Sequence, residues 1–360
     1  MAHRLKVGVV FGGQSVEHQV SLLSAKTVIQ ALDKAKYELA LIGIDTQGQW
    51  SLYDAEACFC QPHDPKHISL NPVYTPIEPF TFIRALDVVF PVLHGALGED
   101  GTIQGLCRLA QVAFVGADVL SSALGMDKVV MKRLLKEQNI PVVPSLTVDE
   151  KKWSANTVLE QISLPFFVKP SNGGSSLGVS KVKEASQCKA ALQKAFLYDS
   201  KIIVEEAVVG REIQVGVIGN EHPKVSLPCE IIPKGEFHSY ESKYIDPDGA
   251  LFIYPADVEM GLYLKMRALA LKTYHALCCE GMARVDFFLK NSGQVFVNEI
   301  NTIPGLTNRS PFAKMWQVSG IEYPDLLDQL IAFALEAQER RQKKMFSDFV
   351  PYLTSEHPSY

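Results

Sequence analysis

The stretch 282-MARVDFFLKNSGQVFVNEINTIPGLTN-308 reads as a β-hairpin. Two apolar-rich runs, Ala283 to Leu289 and Val295 to Ile300, flank a turn signal at Ser292 and Gly293. Strand side chains alternate between faces. Arg284, Asp286 and Phe288 therefore share one side of the first strand, and Val297, Glu299 and Asn301 share one side of the second. A turn centred on Ser292-Gly293 sets Asp286 opposite Glu299 and Arg284 opposite Asn301. Two carboxylates and an amide oxygen then converge on one face of a sheet. Like charges directly opposed on a sheet are destabilising, so the arrangement calls for a compensating cation. Hard oxygen ligands on a rigid hairpin suit Mg2+ or Mn2+, and Mg2+ is commonly held by one or two carboxylates together with substrate phosphates. The alternative is a solvated edge hairpin in which Arg284 neutralises Asp286 and Glu299. Against it, the polar positions interrupt strongly apolar strands and run on into Asn301–Gly305, a loop with backbone amides to offer.

Composition narrows the partner. A chain of 360 residues, 47% hydrophobic, is long enough for two or three domains with real cores. Its formal net charge of -5 is spread along the chain, without the basic face of a nucleic-acid binder, so a small-molecule partner is expected. Seven cysteines, with no CxxC pair, indicate neither a disulfide framework nor a zinc site. The apolar run Val7 to Phe11 is too short for a signal sequence, and no stretch approaches a bilayer span. A soluble cytoplasmic protein is expected, with no membrane partner.

Leu5 to Phe11, then Gly12-Gly13, a helical pattern from Val16 to Leu32 and a strand at Tyr37 to Ile44 open a parallel, Rossmann-like βαβ unit. The GxGxxG dinucleotide spacing is missing from it. Glu17 falls in the first helical turn, where a carboxylate is favoured and can face a ligand above the strand ends. Ala57 to Pro79 shows no period and reads as a long surface excursion. A strand at Asp87 to Leu93 then leads into 94-HGALGEDG-101, a glycine-rich loop at the end of the sheet where ligands bind. In 164-LPFFVKPSNGGSSLGVSKV-182, the strand-like Phe166 to Lys169 precedes a loop of serine, asparagine and glycine. Such a loop can turn several N–H groups inward as an anion nest, with Ser175 and Ser176 as hydroxyl donors. It lacks the GK[ST] closure of a P-loop. Phosphate is the natural guest, and Lys169 at the strand end would neutralise its charge. Pro233 to Pro255 is polar, aromatic and turn-rich, like a lid.

The segments ARVDFFL and VNEINTIPGLT resemble the metal-binding end of the ATP-grasp enzymes, and within them the D-alanine:D-alanine ligases. The resemblance runs through FGGQSVE, HGALGEDG, MDK, the serine-glycine loop and EEAVVGRE, and covers about residues 5 to 335. It implies an α/β architecture with a Rossmann-like N-terminal domain (1–123) followed by a two-part ATP-grasp fold (124–211 and 212–345) and a tail (346–360). The cofactors implied are ATP and two Mg2+ or Mn2+ ions at Asp286, Glu299 and Asn301. By the same resemblance Lys128 and Lys169 meet phosphate, Glu205, Glu206, Ala207 and Val208 form the adenine-reading linker, and Glu212 holds the ribose. Glu17 takes the first D-alanine's ammonium and His94 lies beside a substrate carboxylate. Arg284 and the Gly305 amide serve the oxyanion, and Ser310 the second carboxylate. Lys243 and Tyr244 belong to the lid, where Tyr244 closes on Glu17 and Ser175 and favours dipeptide formation over an ester; His238 lies nearby. The expected reaction is ATP-dependent joining of two D-alanines through an acyl phosphate, in a homodimer. Joining D-alanine to D-lactate or D-serine, and a non-catalytic nucleotide-binding regulator, are the alternatives.

Overall fold

The computed structural model describes residues 4–54, 57–61, 67–235, 249–308 and 310–347. Strand Leu5–Gly12 pairs in parallel with Tyr37–Ile44 on one side and Val88–Val92 on the other, and Ala113–Phe114 extends the parallel run. Trp50–Tyr53 turns back antiparallel on Tyr37–Ile44, and Thr75–Pro76 completes a six-stranded sheet. Alternation along Leu5–Gly12 sorts the two faces. Val7, Val9 and Phe11 join Leu22, Ala25 and Val28 of helix His18–Ala31, while Val10 joins Ile103 and Cys107 of helix Thr102–Ala110. The described part of the predicted surface excursion at 57–79 is more ordered than its aperiodic sequence implies. It contributes the ladder Phe59–Cys60 with Ser69–Leu70, and Cys58 and Ile68 are buried in the first core. Isolated apolar residues anchor it there without setting a period.

A second, antiparallel sheet holds Ser180–Val182, Phe166–Pro170, Lys201–Glu206 and Ser145–Asp149 in that order. Helices Ala155–Gln161 and Cys188–Phe196 pack on it through Val158, Leu192 and Ala195. The third sheet is built around Gly210–Ile218 and the hairpin strands Met282–Lys290 and Val295–Asn301. Its core is closed by helix Met260–Ala276 through Met266, Ala270 and Tyr274, and by Met131 and Leu135 of helix Lys128–Glu137. The last two helices, Pro311–Val318 and Tyr323–Ser347, return to the first core with Phe312, Trp316, Leu327 and Leu330. The two ends of the chain thus share one hydrophobic interior.

The hairpin register matches the predicted pairs, Asp286 with Glu299 and Arg284 with Asn301, but by a different route. Near the turn Leu289 pairs with Val295 and Phe287 with Val297, and the register then slips by one residue before Asp286 meets Glu299. The extra residue is Asn298, a β-bulge. Parity reverses across it. Val295, Val297 and Ile300 all enter the core, so Val297 does not share a face with Glu299 and Asn301 as strict alternation predicted. Without a bulge, the face carrying Val297 into the core would have carried Glu299 there too.

Gly12 ends the first strand with φ 89°, and a Cβ there would stand 2.1 Å from the Ile44 carbonyl oxygen. Its N–H donates to Ser21 Oγ at 2.7 Å, tying strand end to helix. Gly12→Ala is therefore expected to lower stability by about 1–3 kcal/mol in urea unfolding; an unchanged midpoint and slope would disprove the constraint.

Candidate active site

The three sheets enclose a cavity of about 940 Å3, within the size range of small-molecule sites. Every predicted site residue that lies among the described residues lines it. Lys243, Tyr244 and His238 fall outside the described residues.

The hairpin supplies the floor. Arg284 grips Asp286 with two parallel bonds, Nε to Oδ1 at 2.7 Å and Nη2 to Oδ2 at 2.8 Å. Gln214, opposite Asp286 on the neighbouring strand, donates Nε2 to Oδ2 at 3.0 Å, and Asn301 Nδ2 lies 3.3 Å from the same oxygen. Burial works against the Arg284 charge, but Asp286 and then Glu299 outweigh it and hold the guanidinium firmly protonated. Across the hairpin, Lys128 Nζ lies 3.3 Å from Glu299 Oε2 and donates to the Gly173 carbonyl at 2.8 Å. The opposed carboxylates are thus met by one guanidinium and one ammonium. Gln214 Oε1 is buried without a hydrogen-bond partner among the described residues. Two carboxylates in register, flanked by amide oxygens, one of them orphaned, are a donor set that fits a hard divalent cation.

The serine-glycine loop forms the roof. Ser175 and Ser176 both adopt left-handed backbone, with φ 54° and 58°, between Gly173 and Gly178. Such conformations are uncommon outside glycine and concentrate at ligand clamps. The loop is anchored at its base: Asp127 accepts from Ser171 Oγ at 2.6 Å, pairs with Lys201, and caps helix Lys128–Glu137 at the Val129 and Val130 amides. The tip reaches the N-terminal sheet. A Cβ on Gly174 would stand 3.1 Å from Glu17 Oε2, and one on Gly95 2.7 Å from it. Glu17 is thus wedged between two glycines of different loops.

Beside Glu17, the Ile303 carbonyl lies 3.3 Å from His94 Nδ1, so that nitrogen carries the proton and Nε2 accepts from Ser24 Oγ at 3.2 Å. Burial lowers the His94 pKa, keeping the ring neutral. Glu99, quoted in the HGALGEDG motif but given no role, accepts from the Gly95 amide at 2.8 Å and from Ile303 N at 3.4 Å. Burial, then the charge on Glu17, push its carboxyl up to about 8. Toward the other end, Glu205 faces two ammoniums, Lys132 and Lys169, the latter at 2.7 Å. Burial would raise its carboxyl, but the two lysines overcome this and hold it at about 2. The Glu205 side chain is therefore engaged, a contact that its expected place in the linker did not include. The Glu206 and Ala207 amides are held by the Pro144 and Pro165 carbonyls. At the far side of the hairpin loop, Ser310 Oγ accepts from Thr307 N at 3.1 Å and would lie 3.1 Å from a Cβ on Gly305, so these two predicted residues adjoin.

Family models for the D-ala D-ala ligase N-terminus and C-terminus match residues 6–117 and 134–332. The chain belongs to the D-ala D-ala ligase family. A D-alanine–D-alanine ligase of Oceanobacillus iheyensis is 44% identical over 94% of this chain and 97% of its own. Ligase A of Salmonella typhimurium is 45% identical over 92% and 96%. Among solved structures, the ligase from Coxiella burnetii superposes with a TM-score of 0.83 at 35% identity, over 98% of this chain and 100% of that one. VanG, a D-Ala:D-Ser ligase from Enterococcus faecalis, gives 0.78 at 33% identity, over 92% and 100%. The fold is that of the ATP-grasp ligases, and the chain is an enzyme of that family.

Three contributors were given no role by the sequence reading. Lys132 lies one helical turn beyond Lys128, and that i, i+4 spacing puts both on one face of the helix, a signal that could have found it. Gln214 shares a strand face with Glu212, a period-two signal. Glu99 needed the Glu17 loop brought close, which no local pattern encodes.

The raised Glu99 pKa has a signed consequence. A carboxyl at 4.5 when unfolded and about 8 when folded contributes stability that is fully present below 4.5 and lost as pH rises through about 8. Melting temperatures of the ligand-free protein across that window should fall less steeply for Glu99→Gln than for wild type; parallel curves would contradict the assignment.

Proposed function

We propose that the cavity binds Mg-ATP and two D-alanine molecules and joins them into D-alanyl-D-alanine, with ADP and phosphate released, for peptidoglycan precursor synthesis. The observation that carries the reading is the convergence, in one cavity, of an opposed carboxylate pair on the third sheet, a serine-glycine loop between strands of the second, and Glu17 at the start of the helix that follows the first strand of the first. Membership of the ligase family supports it. Asp286, Glu299 and Asn301 would hold Mg2+ or Mn2+, which when bound supplies charge neutralisation at the phosphates.

The chain's own residues do the rest. Lys128 and Lys169 carry positive charge to the phosphoryl group as it moves to the first D-alanine's carboxylate, with Ser175 and Ser176 donating from the loop. Glu17 holds the ammonium of that D-alanine, and His94 keeps the Ile303 backbone in place beside it. The second D-alanine, its carboxylate held by Ser310, attacks the acyl phosphate through its amine. Arg284 keeps Nη1 available after gripping Asp286 through Nε and Nη2. With the Gly305 amide, it stabilises the oxyanion, a contribution of about 3–4 kcal/mol per donor at comparable sites. Glu212 and the linker through Glu206, Ala207 and Val208 hold the nucleoside.

The three sheets support a division into three parts, with the expected boundaries after 123 and 211 falling inside helix Val119–Met126 and strand Gly210–Ile218, and with the last helix packed against the first core. No helix among the described residues is long and apolar enough to cross a membrane. A cytoplasmic homodimer completes the proposal, to be checked by sedimentation.

The direct test is phosphate release from Mg-ATP with D-alanine as sole acceptor, L-alanine as control, and mass identification of the product. Release without D-alanyl-D-alanine, or with only D-serine or D-lactate as second acceptor, would refute dipeptide formation. Glu299→Gln should lower kcat by more than the roughly 10–100-fold that follows loss of an outer-sphere partner, with an unchanged circular-dichroism spectrum. Near-normal turnover would remove Glu299 from the metal site.

A further inference from the structure

We propose that Lys132 is a positioning residue that keeps Glu205 neutralised while Lys169 turns from Glu205 to the phosphates of ATP. The inference rests on the nucleotide reading above.

The geometry divides one carboxylate between two ammoniums. Glu205 Oε1 faces Lys132 Nζ, and Oε2 lies 2.7 Å from Lys169 Nζ. The exposures differ in a telling way. The Lys132 and Glu205 side chains are each 3% exposed, whereas Lys169 is 15% exposed and lines the cavity, which Lys132 does not. Lys132 is therefore sealed against Glu205, and Lys169 is the member of the trio able to reach a ligand. Two positive groups around one negative group also repel each other: burial, against the pull of Glu205, lowers the Lys132 pKa and Lys169 lowers it further, so departure of Lys169 is made easier and favours the charged form of Lys132. If Lys169 were the sole counter-charge, its movement to phosphate would leave a buried carboxylate uncompensated, a costly state. With Lys132 in place, its departure leaves a one-to-one pair.

Placement adds to the case. Glu205 sits at the end of strand Lys201–Glu206, directly before the linker, so fixing its carboxylate fixes the start of that linker. Lys132 comes from the same helix as Lys128, one turn later. The helix that carries Lys128 to Glu299 thereby carries Lys132 to Glu205.

The test is calorimetric titration of the full chain with Mg2+ and a non-hydrolysable ATP analogue, comparing Lys132→Met in two backgrounds, native Glu205 and Glu205→Gln. With Glu205 present, loss of Lys132 should hold Lys169 on the carboxylate and weaken the nucleotide Kd about 10-fold or more, equivalent to 1.4 kcal/mol or more. In the Glu205→Gln background the same substitution should change Kd by less than about 2-fold, because no buried charge remains to be compensated. In steady state the KM for ATP should rise with the KM for D-alanine unchanged. Lys132→Gln, which can still donate to Glu205 but carries no charge, makes the same comparison if the methionine variant does not fold. An equal loss in both backgrounds, or no loss with Glu205 present, overturns the positioning role. A wild-type protein that binds no nucleotide overturns the functional reading itself.

Discussion

Asp286 and Glu299 face each other across one hairpin, and two like charges in register would drive its strands apart if nothing else met them. Each carboxylate is answered from a different direction. Arg284 forks onto Asp286 from two residues away on the same strand, and Lys128 reaches Glu299 from a helix beside the second sheet. Lys128 also donates to the Gly173 carbonyl, so the compensation of Glu299 is tied to the loop above the cavity. Docking of the second sheet on the third therefore has an electrostatic contact at its centre as well as the apolar one made by Met131 and Leu135. A divalent cation at the pair would change the partners of both cations at once, which couples metal binding to the seating of that helix and loop.

Much of this was legible locally because the hairpin is local. Turn chemistry and strand alternation gave the Asp286–Glu299 and Arg284–Asn301 pairs, although the turn was placed half a residue off and the Asn298 bulge was not foreseen. The two errors compensate in register at the carboxylates and not in parity, which is why Val297 was put on the wrong face. A bulge leaves no composition signature of its own; it is selected by the need to bury Val295, Val297 and Ile300 together while Glu299 stays in the cavity. The strand-glycine-helix opening at Leu5 to Leu32 was legible for the same reason, since its glycines are required by backbone conformation.

What stayed hidden was long-range. The return of Phe312, Trp316 and Leu330 to the first core joins residues hundreds of positions apart, and periodicity shows only that their helices have an apolar face. The buried trio of Lys132, Lys169 and Glu205 draws on three elements, each of which reads in isolation as carrying an ordinary charge. Family resemblance supplied Lys169 and Glu205, but through their expected contacts with a nucleotide, not with each other.

The ionisable groups also sort along the cavity by charge state. At one end Glu99 is pushed toward its neutral form and His94 is kept neutral, with the Glu17 carboxylate and the Arg284 guanidinium both acting on them. Glu17, between Gly95 and Gly174, lines the cavity. At the other end Lys169 is held protonated, burial opposing and Glu205 prevailing. On the proposed reading, a ligand with a cationic head and an anionic tail would be favoured with its ammonium toward Glu17 and its anion toward the lysines. On that reading, the placement of neutral and charged groups would bias the orientation of an amino acid before any contact specific to its side chain is made.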